Sequence, residues 1–170
     1  MSSKPNRIAA VPYAPKRDVG FRSANDEDDP YAARGVPEEP TVCPSCKASF
    51  QGGKWTWQKA PSDSHQETCP ACQRIHDQFP AGYVTIKGQF FAEHKDEIVA
   101  LLKAREEKEK SARPLQRIMG MDEKRGELEV TTTDSHIART LAQALHDAYK
   151  GDLKLRYSRD ENLLRATWKR

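Results

Sequence analysis

The sequence predicts an α+β protein in three parts: a disordered charged arm over 1–40, a zinc ribbon over 41–79, and a ferredoxin-like βαββαβ domain with one added strand over 80–170. Three observations predict this. The first forty residues hold Pro5, Pro12, Pro15, Pro30, Pro37 and Pro40, many charges and no apolar periodicity. Two Cys-Pro-x-Cys units then flank a short aromatic stretch. Beyond residue 80, the hydrophobic spacing switches repeatedly between the strand and helix periods. Hydrophobic residues make up 36% of the chain and charged ones 31%, which is too polar for one large core over all 170 residues.

In the arm, Lys4, Arg7, Lys16, Arg17 and Arg22 face only Asp18. Residues 26–39 reverse the sign, with six carboxylates against Arg34. The C-terminal stretch 150–170 is basic again. The net charge of +3 says little, but a basic arm and a basic end suit a polyanionic partner. No apolar run is long enough to span a bilayer, and the N-terminus lacks a secretory signal pattern. The expectation is a cytoplasmic protein with no membrane partner. In a reducing compartment, close cysteine pairs read as metal ligands before disulfides.

In the ribbon, Phe50, Trp55 and Trp57 sit at strand spacing around a Gly52-Gly53 turn. A short helix is expected over Gln73 to Phe79, stopped by Pro80. Cys43-Pro44-Ser45-Cys46 and Cys69-Pro70-Ala71-Cys72 are separated by enough chain for a hairpin. Each pair offers two thiolates on one tight turn, and two such knuckles complete the tetrahedral soft shell that zinc prefers. Ser45 and Ala71 are small enough to let the turns close. A redox reading needs one dithiol at a helix start within a βαβ unit, whereas here the motif occurs twice. His65 and His76 lie nearby but are expected at the surface, since four thiolates already fill the shell. Such a closed site folds a module too small to make its own core and does no catalysis. What the module presents is aromatic and basic: Trp55 and Trp57 with Lys47, Lys54, Lys59 and Arg74, the mixture found on nucleic-acid platforms.

In the last domain, Gly82 to Gly88 reads as a strand and Glu93 to about Ala112 as a helix with Ile98, Leu101 and Leu102 on one face. Leu115–Met119 and Glu127–Thr132 read as a hairpin around residues 122–126. Thr133-Asp134-Ser135 is an N-cap region, and the helix after it is expected to bury Ile137, Leu141, Leu145 and Ala148 before stopping at Gly151. Leu153–Tyr157 and Leu164–Trp168 close the chain as two strands turned by residues 159–162. If their apolar residues face the core, Lys154, Arg156, Arg165 and Lys169 line the outer face, a stripe fit for phosphates. The bland alternatives are a solvated face or pairing with Glu127 and Glu129. His94, His136 and His146 stand isolated on helices, and the chain has no Gly-rich phosphate loop or nucleophile elbow. The expectation is therefore not an enzyme and no small-molecule substrate.

The two knuckles followed by Pro80-Ala81-Gly82-Tyr83, and the later Leu128-Glu129-Val130-Thr131-Thr132-Thr133-Asp134 before a helix, resemble a family of small bacterial zinc-ribbon proteins of poorly defined function. The resemblance spans roughly residues 40–170. That family is distantly similar to the archaeal and eukaryotic adaptors for export of the large ribosomal subunit, which carry several CxxC knuckles. This chain has two pairs and no room for the adaptors' later domains. The resemblance implies zinc on the four cysteines and a ribosomal or other structured RNA partner. A zinc-dependent protein-interaction adaptor is the alternative.

Overall fold

A computed structural model describes residues 31, 34–158 and 162–170. The expected arm as far as residue 30, residues 32 and 33, and the loop residues 159–161 lie outside the described residues.

The ribbon is a four-stranded sheet of very short strands, β1 (Thr41–Val42), β2 (Ser49–Gln51), β3 (Lys54–Thr56) and β4 (His65–Gln66), in the order β3-β2-β1-β4. Gly52 and Gly53 both take positive φ, 63° and 75°, to turn β2 into β3. The Glu39 carboxylate accepts both of their amide N–H groups, at 2.9 and 2.7 Å. Helix α1 (Pro70–Asp77) starts three residues before the expected Gln73. Proline is favoured at a helix's first position because its missing N–H would be unpaired there anyway. Cys69 is the N-cap. The second knuckle is therefore the first turn of the helix.

The ribbon's contacts also reach upstream of residue 41. Tyr31 is buried, lies tilted against Phe79 with ring centroids 6.0 Å apart, and donates its hydroxyl to Asp77 at 2.8 Å. Burial, helped by the Asp77 bond, pushes this phenol up to about 12.

The second sheet holds β5 (Gly82–Lys87), β6 (Ile118–Lys124), β7 (Glu127–Thr132), β8 (Asp152–Ser158) and β9 (Leu163–Lys169) in the order β6-β7-β5-β9-β8. Between β5 and β6 run α2 (Gln89–Glu93) and α3 (Lys95–Ala112), broken at His94; α4 (Ser135–Tyr149) links β7 to β8. β5, α3 and β6 form the expected split βαβ unit, with β7 antiparallel between the two strands. The added strand is not appended at an edge. β9 pairs parallel with β5 and displaces β8 to the rim. Burial accounts for this order: β9 brings Leu164, Ala166 and Trp168 to the core at 1% exposure or less, while Leu155 and Tyr157 of β8 remain 40% and 46% exposed.

Helices α3 and α4 pack Ile98, Leu102, Ile137, Leu141 and Leu145 against one face of this sheet. Ala148 is exposed rather than buried, because the last turn of α4 packs on the core through Tyr149, beside Phe90 and Trp168; Ala144 is buried. The expected strand Leu115–Met119 also shifts. A two-residue turn at Arg125 and Gly126, with φ of 56° and 75°, extends β6 as far as Lys124 and leaves Leu115–Arg117 outside the sheet.

Candidate metal centre and basic sheet face

Cys43 and Cys46 sit on a turn closed by two backbone bonds, Cys43 N–H to Ala48 O at 2.8 Å and Lys47 N–H to Cys43 O at 2.9 Å. Lys47 takes the left-handed conformation that this turn requires, at φ 67°. Cys69 and Cys72 project from the first turn of α1, where the Cys72 N–H donates to Cys69 Sγ at 3.4 Å. The Cys69 N–H donates to Cys43 Sγ at 3.3 Å and ties the two turns together.

All four Sγ atoms lie within 4.8 Å of one another, so the cluster can hold a metal ion. Cys46 and Cys69 approach to 3.8 Å. Bonds of about 2.3 Å to a tetrahedral ion put sulfurs about 3.8 Å apart, so this pair already has the edge of a zinc tetrahedron. Four sulfurs also fill the shell. His65 and His76 stand outside it, beside Glu38 at 3.2 Å and Asp77 at 3.0 Å.

A fifth residue completes the centre. Arg117, 8% exposed, donates from Nη2 to Cys46 Sγ at 3.1 Å and Cys69 Sγ at 3.6 Å, and from Nη1 to Cys72 Sγ at 3.3 Å. Its Nε donates to Pro114 O at 2.7 Å. Thr133 fixes the backbone behind it: the Arg117 N–H donates to Thr133 Oγ1 at 2.9 Å, and the Thr133 N–H returns a bond to Arg117 O at 3.0 Å. A buried guanidinium needs a compensating anion, and thiolates supply one. The hydrogen bond shared with Cys69, then the Ala48 amide and Arg117, bring the Cys46 thiol down. The same shared bond, with burial, pushes Cys69 up; burial pushes Cys72 up. Two further contacts join the ribbon to the larger domain. Leu115 packs beside Trp55 on the cysteine cluster, and the Trp57 indole N–H donates to Lys110 O at 2.7 Å.

The expected RNA-contacting residues separate accordingly. Lys47, Lys54 and Lys59 are exposed on the ribbon. Trp55 is half-buried, edge-on to Phe50 at 5.6 Å, and Trp57 keeps 40% of its surface while bound to Lys110. Both tryptophans are thus partly spent on packing. Arg74 is a correction. It is 3% exposed, lies 4.3 Å over the Tyr31 ring and donates to Phe79 O at 3.0 Å, so it is a packing residue of α1 and not a surface cation.

Lys154, Arg156, Arg165 and Lys169 are all exposed on the face opposite the helices. Strand register sets that face out in rows. One row reads Gly120, Thr131, Tyr83, Arg165, Arg156; the next reads Asp122, Glu129, Thr85, Thr167, Lys154. A further row sets Lys169 between Lys87 and Asp152. Acidic groups thus predominate on β6 and β7 and cations on β9 and β8, with Asp152 the one carboxylate of β8 on this face. The alternative pairing with Glu127 and Glu129 does not form, since Glu127 pairs with Lys87 of β5 at 3.7 Å. Among the described residues no carboxylate forms an ion pair with any of the four cations. Arg165 lies 4.6 Å over the Tyr83 ring. No helix among the described residues is long and apolar enough to cross a membrane. In comparisons with known proteins, no family model, no curated protein and no solved structure matches this chain.

Proposed function

We propose that this chain is a non-catalytic, cytoplasmic zinc-ribbon protein that binds the ribosome or another structured RNA. The observation that carries the reading is the group Lys154, Arg156, Arg165 and Lys169, exposed on one sheet face over three neighbouring rows and, among the described residues, in no ion pair with a carboxylate. Unpaired cations held at strand spacing favour a phosphate backbone, which gives up condensed counterions on binding. The ribbon separately exposes Lys47, Lys54 and Lys59. Zinc is the metal that suits four thiolates in a closed tetrahedral shell, and such a shell leaves no position for substrate. The resemblance to small bacterial zinc-ribbon proteins, and more distantly to large-subunit export adaptors, points the same way.

The test is co-sedimentation of the zinc-loaded chain with ribosomal subunits through a sucrose gradient at low and high salt. Binding to a subunit that is released by salt supports the reading. A chain that stays at the top of the gradient and binds no structured RNA by filter retention overturns it.

A further inference from the structure

The two rims of the larger sheet are finished differently. At the β6 rim, a bulge interrupts the register between Ile118 and Gly120. The Ile118 N–H is capped by the Glu106 carboxylate at 2.7 Å, and Lys95 bonds Glu123. A bulge, and a charge turned to the helix side as Glu123 is opposite Leu128, close a rim against further strands. Along β8 the register runs unbroken from Asp152 to Ser158 against β9, and no strand lies beyond it among the described residues. The outward backbone groups of β8 are thus a template for a further strand.

The side chains of β8 state what that strand would be. Lys154 and Arg156 project to the open face, while Leu155 and Tyr157 project to the helix side, 40% and 46% exposed. Added strands place their side chains level with those of the rim strand, face for face. A complementary segment therefore carries acidic residues at alternate positions and apolar residues between them. A second copy fits less well. An antiparallel twofold pairing centred on Leu155 or Arg156 sets Lys154 opposite Arg156, or Arg156 opposite itself; one centred on Lys154 sets Lys154 opposite itself, although it also brings Asp152 opposite Arg156. Such pairs oppose association.

We infer that the β8 rim is a docking edge for an extended protein segment of alternating acidic and apolar residues, which joins the sheet as a sixth strand. This goes beyond RNA binding and is coupled to it. Segment and phosphate share Lys154 and Arg156, so the two ligands compete, whereas Leu155 and Tyr157 serve the segment alone.

The experiment uses the full zinc-loaded chain and a fluorescein-labelled peptide of alternating Glu and Val. The controls are a Lys/Val peptide and a Glu/Val peptide of the same composition in two blocks. The alternating acidic peptide is expected to bind at least tenfold more tightly than either control, with slowed amide exchange confined to 152–158. Leu155→Glu should weaken it at least tenfold while leaving RNA binding unchanged. The exposed double variant Lys154→Glu, Arg156→Glu should reverse the preference toward the Lys/Val peptide, and it provides the test should Leu155→Glu fail to fold. Equal binding of the block peptide, or indifference to both variants, overturns the proposal. So does a dimer that Leu155→Glu dissociates and the peptide leaves intact, or loss of RNA binding in a folded Leu155→Glu chain.

Discussion

Arg117 Nη2 stands 3.1 Å from Cys46 Sγ, a bond between residues 71 positions apart that joins the larger domain to the four-cysteine cluster. A four-thiolate zinc site carries two surplus negative charges, and this guanidinium offsets one of them in a buried setting where the attraction is little screened. Replacing Arg117 by Ala removes every one of its N–H···S bonds at once. The expected result is faster zinc release to a colorimetric chelator and a loss of about 3 kcal/mol in stability, the range for removing one partner of a buried ion pair. Arg117→Lys restores the charge but not the fork of donors, and should recover only part of either. Unchanged zinc release in Arg117→Ala would leave Arg117 as simple packing.

Zinc itself should be bound one per chain by all four cysteines, since all the Sγ atoms lie within 4.8 Å of one another. Elemental analysis checks the ratio, and Cys43→Ser together with Cys69→Ser should abolish retention. Because each thiol must give up its proton to bind the metal, protons compete for these sites, and zinc affinity should fall as the pH is lowered.

Stripping the metal should unfold the ribbon while much of 80–170 stays folded, because only the larger domain has its own core of residues such as Ile98, Leu141 and Trp168. Arg117 sharpens this expectation. Amide protection should also fall around residues 113–118 and Thr133, whose bonds support the guanidinium. Hydrogen exchange with equal loss across the whole chain would contradict a separable ribbon.

The clustering of the four cysteines was legible because a site built on knuckles follows a local rule, two thiols per tight turn, that survives in the sequence. Arg117 was not, because its partners Cys72 and Cys46 lie 45 and 71 residues away and no spacing rule links them. Its one trace was a lone cation among the apolar residues of Leu115–Met119, a stretch read only as a hairpin strand. Helix and strand types were readable beyond residue 80, since periodicity is local. The placement of β9 beside β5 was not, because it depends on which strand buries the most apolar surface, and Trp168 decided it. Arg74 misled for a related reason: a helical arginine reads as surface until Tyr31, far upstream, is seen against it.

Gly88 is expected to be irreplaceable. Its φ is +105°, and a Cβ there would lie 2.2 Å from the Arg170 carbonyl oxygen. That carbonyl accepts the Phe90 N–H at 2.9 Å, and the Arg170 N–H donates to Lys87 O at 3.2 Å, so the chain end cannot withdraw without breaking both bonds. Gly88→Ala should cost about 2 kcal/mol or more, combining backbone strain with a displaced terminus. Deleting Arg170 in that variant should recover part of the loss in a thermal melt. If the deletion recovers nothing, the close approach is not what restricts the position.

The basic rows of β8 and β9 yield the most direct check on RNA binding. Lys154 and Arg156 are exposed and unpaired, so changing both to Ala should leave stability within about 0.5 kcal/mol. If each contacts a phosphate, the double change should weaken RNA binding and flatten the dependence of log affinity on log salt by about 0.7 to 0.9 per lost contact. Asp122→Ala together with Glu129→Ala, on the acidic rows across β5, should act in the opposite sense and only weakly, since screening at physiological salt reaches about 8 Å. The pattern matters more than either value. A phosphate surface predicts a slope change for the first pair and a small affinity gain without one for the second. Equal losses from both pairs would mean that the two halves of the face serve a mixed-charge protein partner instead.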